Sequence, residues 1–361
     1  MNPASFRVAT INILNDPSRW RERRGLLAEG LAEAAPDLVA LQEVTGPPGA
    51  STADWLAGEL GGYAVLPCPK AGWHRGRARE GIAVLSRLPV ERHEVLDLRG
   101  QGRTAQLVRV RVGGRAVALV NGHYYWSPAA HNARARQVGL VLDWLEAIEP
   151  GTPAVVCGDF NALPDSRPIA RLREVMASAH EAAHGREPEA TCPTPLVGGD
   201  ALRSAVTGWL MRRFTNRPGE SWRGVLDYIF AGRDLRVVSC DLFLDRPAPG
   251  DPGLYPSDHY GLVATLEMAP EGRARNGGGP GSMGRAGPPL WMAMPVDAGS
   301  GAAGGDARGL GGVGGGRCRL VVAGAADEGP RGEGEGQEGQ GILHECAHFR
   351  GLEMWVRASR S

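Results

Sequence analysis

The stretch AVVCGDFN, residues 154–161, decides the fold of this chain. Its apolar start, Ala154–Cys157, has the length and composition of a buried β-strand. A carboxylate and an amide, Asp159 and Asn161, come immediately after that strand. The stretch therefore predicts a buried strand whose end carries polar, chemically useful side chains.

The same arrangement recurs on both sides of this stretch. Asn12 ends the strand-like run RVATIN, Gln42-Glu43 ends DLVALQE, His123 follows AVALVNG, Asp227 lies within VLDYIF, and Asp258-His259 begins SDHYGLVATL. Carboxylate and amide oxygens are the ligands that Mg²⁺ or Mn²⁺ prefers, and imidazole or amide donors suit the charge that develops on phosphoryl oxygens. Together these strand ends predict a site for phosphate esters.

Residues 1 to about 268 alternate between strand and helix patterns. Helical periodicity predicts helices over Trp20–Ala34, Asp54–Leu60, Ala129–Ile148 and Ile169–Val175. The predicted strands are Arg7–Ile11, Leu38–Leu41, Gly81–Leu85, Ala105–Val112, Ala116–Val120, Ala154–Cys157, Val225–Phe230 and Gly261–Leu266. Some strands are apolar on both faces and others alternate, which favours mixed sheets covered by helices around one core.

Composition changes sharply near Pro270. The last 91 residues hold 25 of the 53 glycines. Glycine at this density cannot offset its conformational entropy by burial, so we predict disorder over about 271–341. One short helix is predicted within Ile342–Ser361. The expected organisation is a catalytic domain over 1–268 and a glycine-rich, low-complexity tail over 269–361.

Overall charge and cysteine content exclude several classes of protein. The 40 basic and 40 acidic residues give a net charge of zero, so the net charge does not indicate a broad positively charged surface for nucleic acid. The six cysteines are far apart and form no CxxC pair, which argues against a disulfide framework. No signal peptide pattern and no run of 18 apolar residues is present. These features predict a cytoplasmic protein without a transmembrane segment.

Each polar residue also has an ordinary structural explanation. Asn12 or Asn161 alone is more often a turn or cap residue. Glu43 could be solvated, His123 could be a satisfied core histidine, and Asp258 could cap a turn. The ordered set across the chain is the argument for a site, and no single member carries it.

Taken in order, the series resembles the endonuclease/exonuclease/phosphatase superfamily. The resemblance rests on Asn12, the LQE that ends at Glu43, His123, the GDFN of Asp159–Asn161 and the SDH of Ser257–His259. It covers about residues 5–268. It implies an α/β, four-layered sandwich of two mixed β-sheets flanked by helices, and hydrolysis of phosphate esters by in-line attack of water without a covalent intermediate.

The resemblance also implies roles for individual residues. Glu43, Asn12 and Asp258 match the positions near the metal, with Mg²⁺ or Mn²⁺ as the implied cofactor. The implied catalytic residues are Asp159 and Asn161 at the attacking water and phosphate, His259 at the phosphoryl oxygens, Asp227 that orients His259, and Glu80 that orients His123. An Asp–His hydrogen bond independently favours the imidazolium and fixes its tautomer.

Differences between this sequence and the motifs of individual subclasses narrow the choice of subclass within the superfamily. Val44-Thr45 follows LQE and Asp227-Tyr228 replaces an arginine-bearing motif, which weakens the abasic-site and 5-phosphatase readings. The segment NGHYYWSP, with Arg134, Arg136 and Gln137 after it, resembles the deadenylase and sphingomyelinase-like branches better. Its three aromatic residues, 124–126, suit stacking on a base or contact with a lipid headgroup, and suit packing at a strand end equally well.

A second motif lies in the tail. His344-Glu345-Cys346-Ala347-His348 satisfies the HExxH pattern of zinc proteases, which requires a packed helix and a third ligand. Met354 stands where a third histidine would belong, so we interpret this match as fortuitous.

The sequence thus predicts a monomeric, divalent-metal-dependent phosphodiesterase whose favoured substrate is a nucleic acid or nucleotide. Two alternatives remain open: a sphingomyelinase-like phospholipase C and a catalytically inactive binding module. Four cationic side chains before Glu80, namely His74, Arg75, Arg77 and Arg79, suit either a phosphate-binding loop or a solvated one.

Overall fold

A computed structural model describes residues 4–70, 80–127, 130–196, 223–269, 345–349 and 352–356. The chain divides into two compact units, Met1–Gly278 and Gly279–Ser361. The cationic loop before Glu80 and the tract predicted to be disordered lie outside the described residues.

The first unit contains two six-stranded mixed sheets. The first sheet contains β1 (Ser5–Asn12), β2 (Leu38–Thr45), β3 (Ala64–Pro69), β4 (Glu80–Ser86), β11 (Leu235–Phe243) and β12 (Gly261–Met268). Its strand order is β11-β12-β1-β2-β4-β3, and only β1 and β2 pair in parallel.

The second sheet repeats this plan. It contains β5 (Val90–Asp97), β6 (Thr104–Val112), β7 (Arg115–His123), β8 (Ala154–Asp159), β9 (Met176–Ser178) and β10 (Asp227–Gly232). Its strand order is β5-β6-β7-β8-β10-β9, with β7 and β8 parallel. The helices are α1 (Trp20–Ala34), α2 (Thr52–Leu60), α3 (His131–Ile148), α4 (Arg167–Arg173) and α5 (Ala179–His184).

Three apolar clusters hold these layers together. The central cluster lies between the sheets and joins Val8 and Val84 of the first to Leu119 and Ile229 of the second. A second cluster lies on the outer face of the first sheet, where α1 and α2 contribute Leu27, Leu31 and Leu56. A third cluster lies on the outer face of the second sheet, where α3 and α4 contribute Val138, Val141, Ile169 and Leu172. The predicted four-layered α/β sandwich is confirmed.

A polar contact also joins the two sheets inside this apolar core. Asn121 of β7 accepts a hydrogen bond from Gln42 Nε2 of β2 at 2.8 Å, and its own amide donates to the carbonyls of Leu41 and Ala83. Gln42 and Asn121 are both fully buried. Because a buried amide is costly unless it is hydrogen-bonded, this inter-sheet amide pair fixes how the sheets lie against each other.

Helix α2 shows how local sequence sets an element. Ser51 caps its first turn by accepting from the Asp54 amide, and the Asp54 carboxylate accepts from the Ser51 amide at 2.8 Å. This reciprocal capping box satisfies two amides that the helix itself cannot bond. Helix α1 matches its predicted bounds, and no helix among the described residues is long and apolar enough to cross a membrane.

Several predicted boundaries change. The short helix predicted within Ile342–Ser361 is wrong, because Glu345–Phe349 and Leu352–Val356 form antiparallel strands β13 and β14. Two residues, one of them Gly351, separate these aromatic-containing runs, which favours a hairpin over a helix. The described part of the HExxH match, Glu345–His348, lies in strand β13 and not in the helix that a zinc-protease motif needs.

Candidate active site

Three predicted site residues occupy one row across the second sheet. His123 pairs with Asp159 in the parallel register of β7 and β8, and Asp159 pairs with Asp227 in the antiparallel register of β8 and β10. All three side chains are buried. Asp227 is the first residue of β10 and not an interior one, which places it at the same edge as the ends of the other two strands.

Two glycines allow this row to be so tight. Gly158 has φ of +131°, and a Cβ there would collide with the carbonyl oxygen of Gly122. A side chain at Gly158 would force β7 and β8 apart just before His123 and Asp159, whereas a Cβ at Gly122 would collide with the Tyr124 ring. Gly158 is therefore needed for the close approach of the two backbones, and Gly122 leaves room for the Tyr124 ring.

The first sheet supplies Asn12 and Glu43. Asn12 is the last residue of β1, whereas Glu43 lies within β2 and not at its end. The β2–β4 register slips between Gln42 and Val44, so Glu43 sits at a β-bulge with φ of 60°. A left-handed backbone at a residue other than glycine costs about 1–3 kcal/mol and is typical of functional positions, where it re-aims a side chain.

The two sheets meet through the Asn12 amide. Its Nδ2 donates to Glu43 Oε1 at 3.2 Å and to Asp159 Oδ2 at 3.0 Å. Glu43 Oε2 accepts from the Asn15 backbone amide at 2.9 Å. Asn12 therefore brings carboxylates from different sheets within one hydrogen-bonded group.

The loop before β12 completes the site. Strand β12 starts at Gly261, so Asp258 and His259 lie in this loop and do not begin the strand. Ser257 Oγ donates to the carbonyl of Asn12 at 2.6 Å, which ties the loop to β1. His259 Nδ1 donates to Asp227 Oδ2 at 2.8 Å, and Thr191 Oγ1 donates to the same carboxylate oxygen at 2.6 Å. The predicted Asp227–His259 contact is present, whereas Thr191 was not among the predicted residues.

Burial perturbs the two titratable groups at the centre. Burial and the neighbouring Asp227 carboxylate raise the pKa of Asp159 to about 6. Burial, the largest single influence, lowers the pKa of His259, but the Asp227 carboxylate together with the neighbouring Cys192 and Asp258 outweighs it and holds that pKa well above its usual value. Asp159 is thus a stronger base than an exposed aspartate, and the raised pKa of His259 favours its imidazolium form.

His123 has a different environment from the one predicted. Glu80 Oε1 lies 3.9 Å from His123 Nδ1, too far for a hydrogen bond. Arg103 lies between them, with Nη1 at 3.0 Å from Glu80 Oε1 and at 2.6 Å from His123 Nδ1. His123 Nε2 faces Asp159 Oδ2 at 3.4 Å. Arg103 was not among the predicted residues.

Asn161 and the aromatic segment border the site. Asn161 has φ of 49°, its backbone amide donates to Asp159 Oδ1 at 2.9 Å, and its side chain donates to the Tyr124 carbonyl at 3.3 Å. Tyr124 is fully buried and stacks on Phe160 with ring centroids 4.4 Å apart. For Tyr124 the packing interpretation holds, and only Tyr125 and Trp126 are partly exposed.

The donor set of this edge fits a hard divalent cation. Glu43, Asp159, Asp227 and Asp258 are all buried carboxylates. Ligand atoms of Asp159, Asp227 and His259 lie within 4.8 Å of one another. His259 Nδ1 and Asp227 Oδ2 are engaged with each other, which leaves the remaining carboxylate and amide oxygens as the ligands that Mg²⁺ or Mn²⁺ prefers. Burying this much negative charge is costly unless a cation compensates it.

The chain is similar in sequence to one family of proteins and to several of its characterised members. The sequence model of the Endonuclease/Exonuclease/phosphatase family matches residues 9–259. The chain is 26% identical over 202 residues to mouse (Mus musculus) 2',5'-phosphodiesterase 12, covering 52% of this chain and 32% of that protein. It is 33% identical over 173 residues to the CCR4-Not complex 3'-5'-exoribonuclease subunit Ccr4 of Candida albicans, covering 43% and 22%.

Solved structures share the fold. A truncated Caenorhabditis elegans TDP2 superposes with a TM-score of 0.58 at 22% identity, covering 73% of this chain and 98% of that one. The chain spans about a third of the length of the first curated relatives that it matches.

Proposed function

The chain belongs to the Endonuclease/Exonuclease/phosphatase family, and we propose on this basis that it is a divalent-metal-dependent phosphodiesterase acting on a nucleic acid or nucleotide. Residues 1–268 are the proposed catalytic domain, and the proposed working state is a monomer. The observation that carries the proposal is the convergence of His123, His259 and the Asn12 amide on Asp159, all of them buried.

The proposed reaction is in-line attack of water on phosphorus. Asp159 accepts the proton of the attacking water, and its raised pKa suits that role because a base works best near the operating pH. Asn161 is tied to Asp159 through its backbone amide and holds the water or the phosphate. The water oxygen bonds to phosphorus as the leaving oxygen departs on the opposite side.

In this reaction His259 donates a hydrogen bond to the phosphoryl oxygens. His259 Nε2 is buried and has no hydrogen-bond partner within the described parts of the chain. With Nδ1 held by Asp227, the imidazolium presents its Nε2–H to the reacting group. A preorganised donor aimed at developing charge contributes about 2.7–4 kcal/mol of transition-state stabilisation.

Glu43, Asn12 and Asp258 are the residues proposed to hold the metal ion. When bound, the cation would neutralise charge on the phosphoryl oxygens and the leaving group. The bulge at Glu43 supports this assignment, because it turns a carboxylate out of the β2 ladder toward Asn12.

The relatives support a nucleic-acid or nucleotide substrate over a lipid. The mouse relative is named for a 2',5'-phosphodiester and the Candida relative for 3'-5' exoribonuclease activity. No observation favours a sphingomyelinase-like phospholipase C, and the complete set of buried polar residues argues against a catalytically inactive module.

A substrate panel tests the proposal. Purified protein would be assayed on an activated phosphodiester, single- and double-stranded nucleic acids, sphingomyelin and phosphoinositides, with Mg²⁺, with Mn²⁺ and with a chelator. We expect cation-dependent cleavage of nucleic acid. Asp159→Asn should lower kcat by a factor on the order of 10²–10⁴. The matched control is Asp165→Asn, which changes an exposed carboxylate in the loop that follows β8. Preference for sphingomyelin, or activity that survives the chelator, would overturn the proposal.

A further inference from the structure

The Nδ1 atom of His123 lies closer to an arginine, Arg103, than to the Glu80 carboxylate. Arg103, immediately before β6, is buried, and its Nη1 lies 2.6 Å from His123 Nδ1. The same Nη1 is 3.0 Å from Glu80 Oε1, and Lys70 Nζ lies 3.5 Å from Glu80 Oε2. These contacts form a chain from Lys70 through Glu80 and Arg103 to His123.

The chemistry of the guanidinium fixes the roles in that contact. Arginine carries only donors and stays charged in proteins, so it cannot accept a hydrogen bond from an imidazole. His123 Nδ1 must therefore be the acceptor, with no hydrogen of its own. The ring proton of His123 then resides on Nε2, since a neutral imidazole carries one N–H.

The Nε2 atom is the one that points toward the reaction centre. It lies 3.4 Å from Asp159 Oδ2. Had Glu80 held His123 directly, Nδ1 would carry the proton and Nε2 would present a lone pair. A lone pair aimed at a carboxylate or at a phosphoryl oxygen is repulsive, whereas an N–H is a donor to either.

We propose that Arg103 is a positioning residue that fixes the tautomer of His123, with the proton on Nε2 directed at the reacting phosphate. Glu80 acts through Arg103 in this scheme, because it reaches the guanidinium and not the imidazole. The catalytic consequence rests on the proposed phosphodiesterase function; the tautomer does not.

Nitrogen NMR of the full-length chain tests the tautomer without substrate. Histidine labelled with ¹⁵N distinguishes a protonated ring nitrogen from an unprotonated one, and loss of signals in His123→Gln assigns the residue among the nine histidines. We expect an unprotonated Nδ1 and a protonated Nε2 in the wild type and in Arg103→Lys, which keeps a donor. Arg103→Met should show a mixture of tautomers. A protonated Nδ1 in the wild type would overturn the proposal.

Steady-state kinetics test the consequence. Arg103→Met should lower kcat on the order of 10²-fold with little change in KM, the usual cost of one misplaced donor. Arg103→Lys should recover part of that loss, and the double variant Arg103→Met/His123→Gln should be no slower than His123→Gln alone. Arg109→Met, which removes an arginine of β6 that binds Glu149, is the control for the loss of charge on that strand.

The possible failures are distinguishable. Losses at Arg103 and His123 that multiply would show independent roles and refute the positioning. If the wild type has no phosphodiesterase activity, the proposed function is refuted. The NMR measurement needs no substrate and would still decide the tautomer of His123.

Discussion

Replacing Asp227 by asparagine removes one negative charge from a fully buried hydrogen bond. In the wild type, Asp227 Oδ2 accepts from His259 Nδ1 at 2.8 Å and from Thr191 Oγ1 at 2.6 Å. An asparagine carbonyl can still accept both bonds. The change from a charge-assisted to a neutral acceptor is worth about 1–2 kcal/mol.

That free energy sets the expected loss of rate. Each 1.36 kcal/mol corresponds to about tenfold, so Asp227→Asn should lower kcat by about 5- to 30-fold if His259 keeps its orientation. Complete loss of an oriented donor costs about 10²–10³-fold, which is the ceiling expected for His259→Ala. Thr191→Val keeps the carboxylate and should cost less than about tenfold.

A double-mutant cycle provides the assay. Wild type, Asp227→Asn, His259→Ala and the double variant would be compared in kcat and KM on one nucleic-acid substrate, with melting temperatures as the folding control. Because Asp227 acts through His259, the double variant should match His259→Ala. If the two single losses multiply in the double variant, Asp227 has a role of its own and the pairing is refuted.

Three further outcomes are expected from parts of the chain outside this dyad. Arg23 is buried and donates to the carbonyls of residues 13, 16 and 256, so Arg23→Met should lower the free energy of unfolding in urea by about 3–5 kcal/mol; a loss below 1 kcal/mol would contradict that role. Burial alone would raise the pKa of Glu149, but hydrogen bonds from Arg109 and Thr152 lower it below 4.5. Glu149→Gln should therefore cost about 1 kcal/mol at pH 7, a deficit that disappears as the pH falls through that lowered pKa; a deficit that persists in acid would exclude the charge as its cause. Truncation after Pro270 should leave the melting temperature and activity unchanged, because the tail lacks the apolar content to join the core, and a large fall in melting temperature would show that it docks.

Much of the fold follows from local pattern, and the exceptions have physical causes. Strand β3 contains Pro67 and Pro69, which argue against a strand, yet it lies at the edge of the first sheet, where a missing amide is tolerated. Strand β5 is the charged run VERHEVLD, half exposed along its length at the edge of the second sheet. Edge strands bury too little to leave an apolar signature in sequence.

The sequence predicted which residues of the candidate site lie together where these residues end buried strands, but it missed residues that only tertiary structure brings close. His123, Asp159 and Asp227 follow from apolar runs, because a register places strand ends together. Arg103 and Thr191 come from segments with no distinctive pattern, and only three-dimensional packing reveals their contacts. The prediction that Glu80 orients His123 directly failed for the same reason, since the intervening Arg103 carries no local signal.

The inter-sheet amide pair also sets a rule for recombination among relatives. The candidate site takes Asn12 and Glu43 from the first sheet and His123, Asp159 and Asp227 from the second, and the pair Gln42–Asn121 fixes the offset between the two sheets. A chimera that inherits β2 from one parent and β7 from another would lose this alignment unless both parents carry compatible amides. Crossover points that keep residues 42 and 121 from one parent should therefore give active hybrids, and those that separate them should give folded hybrids with slow turnover.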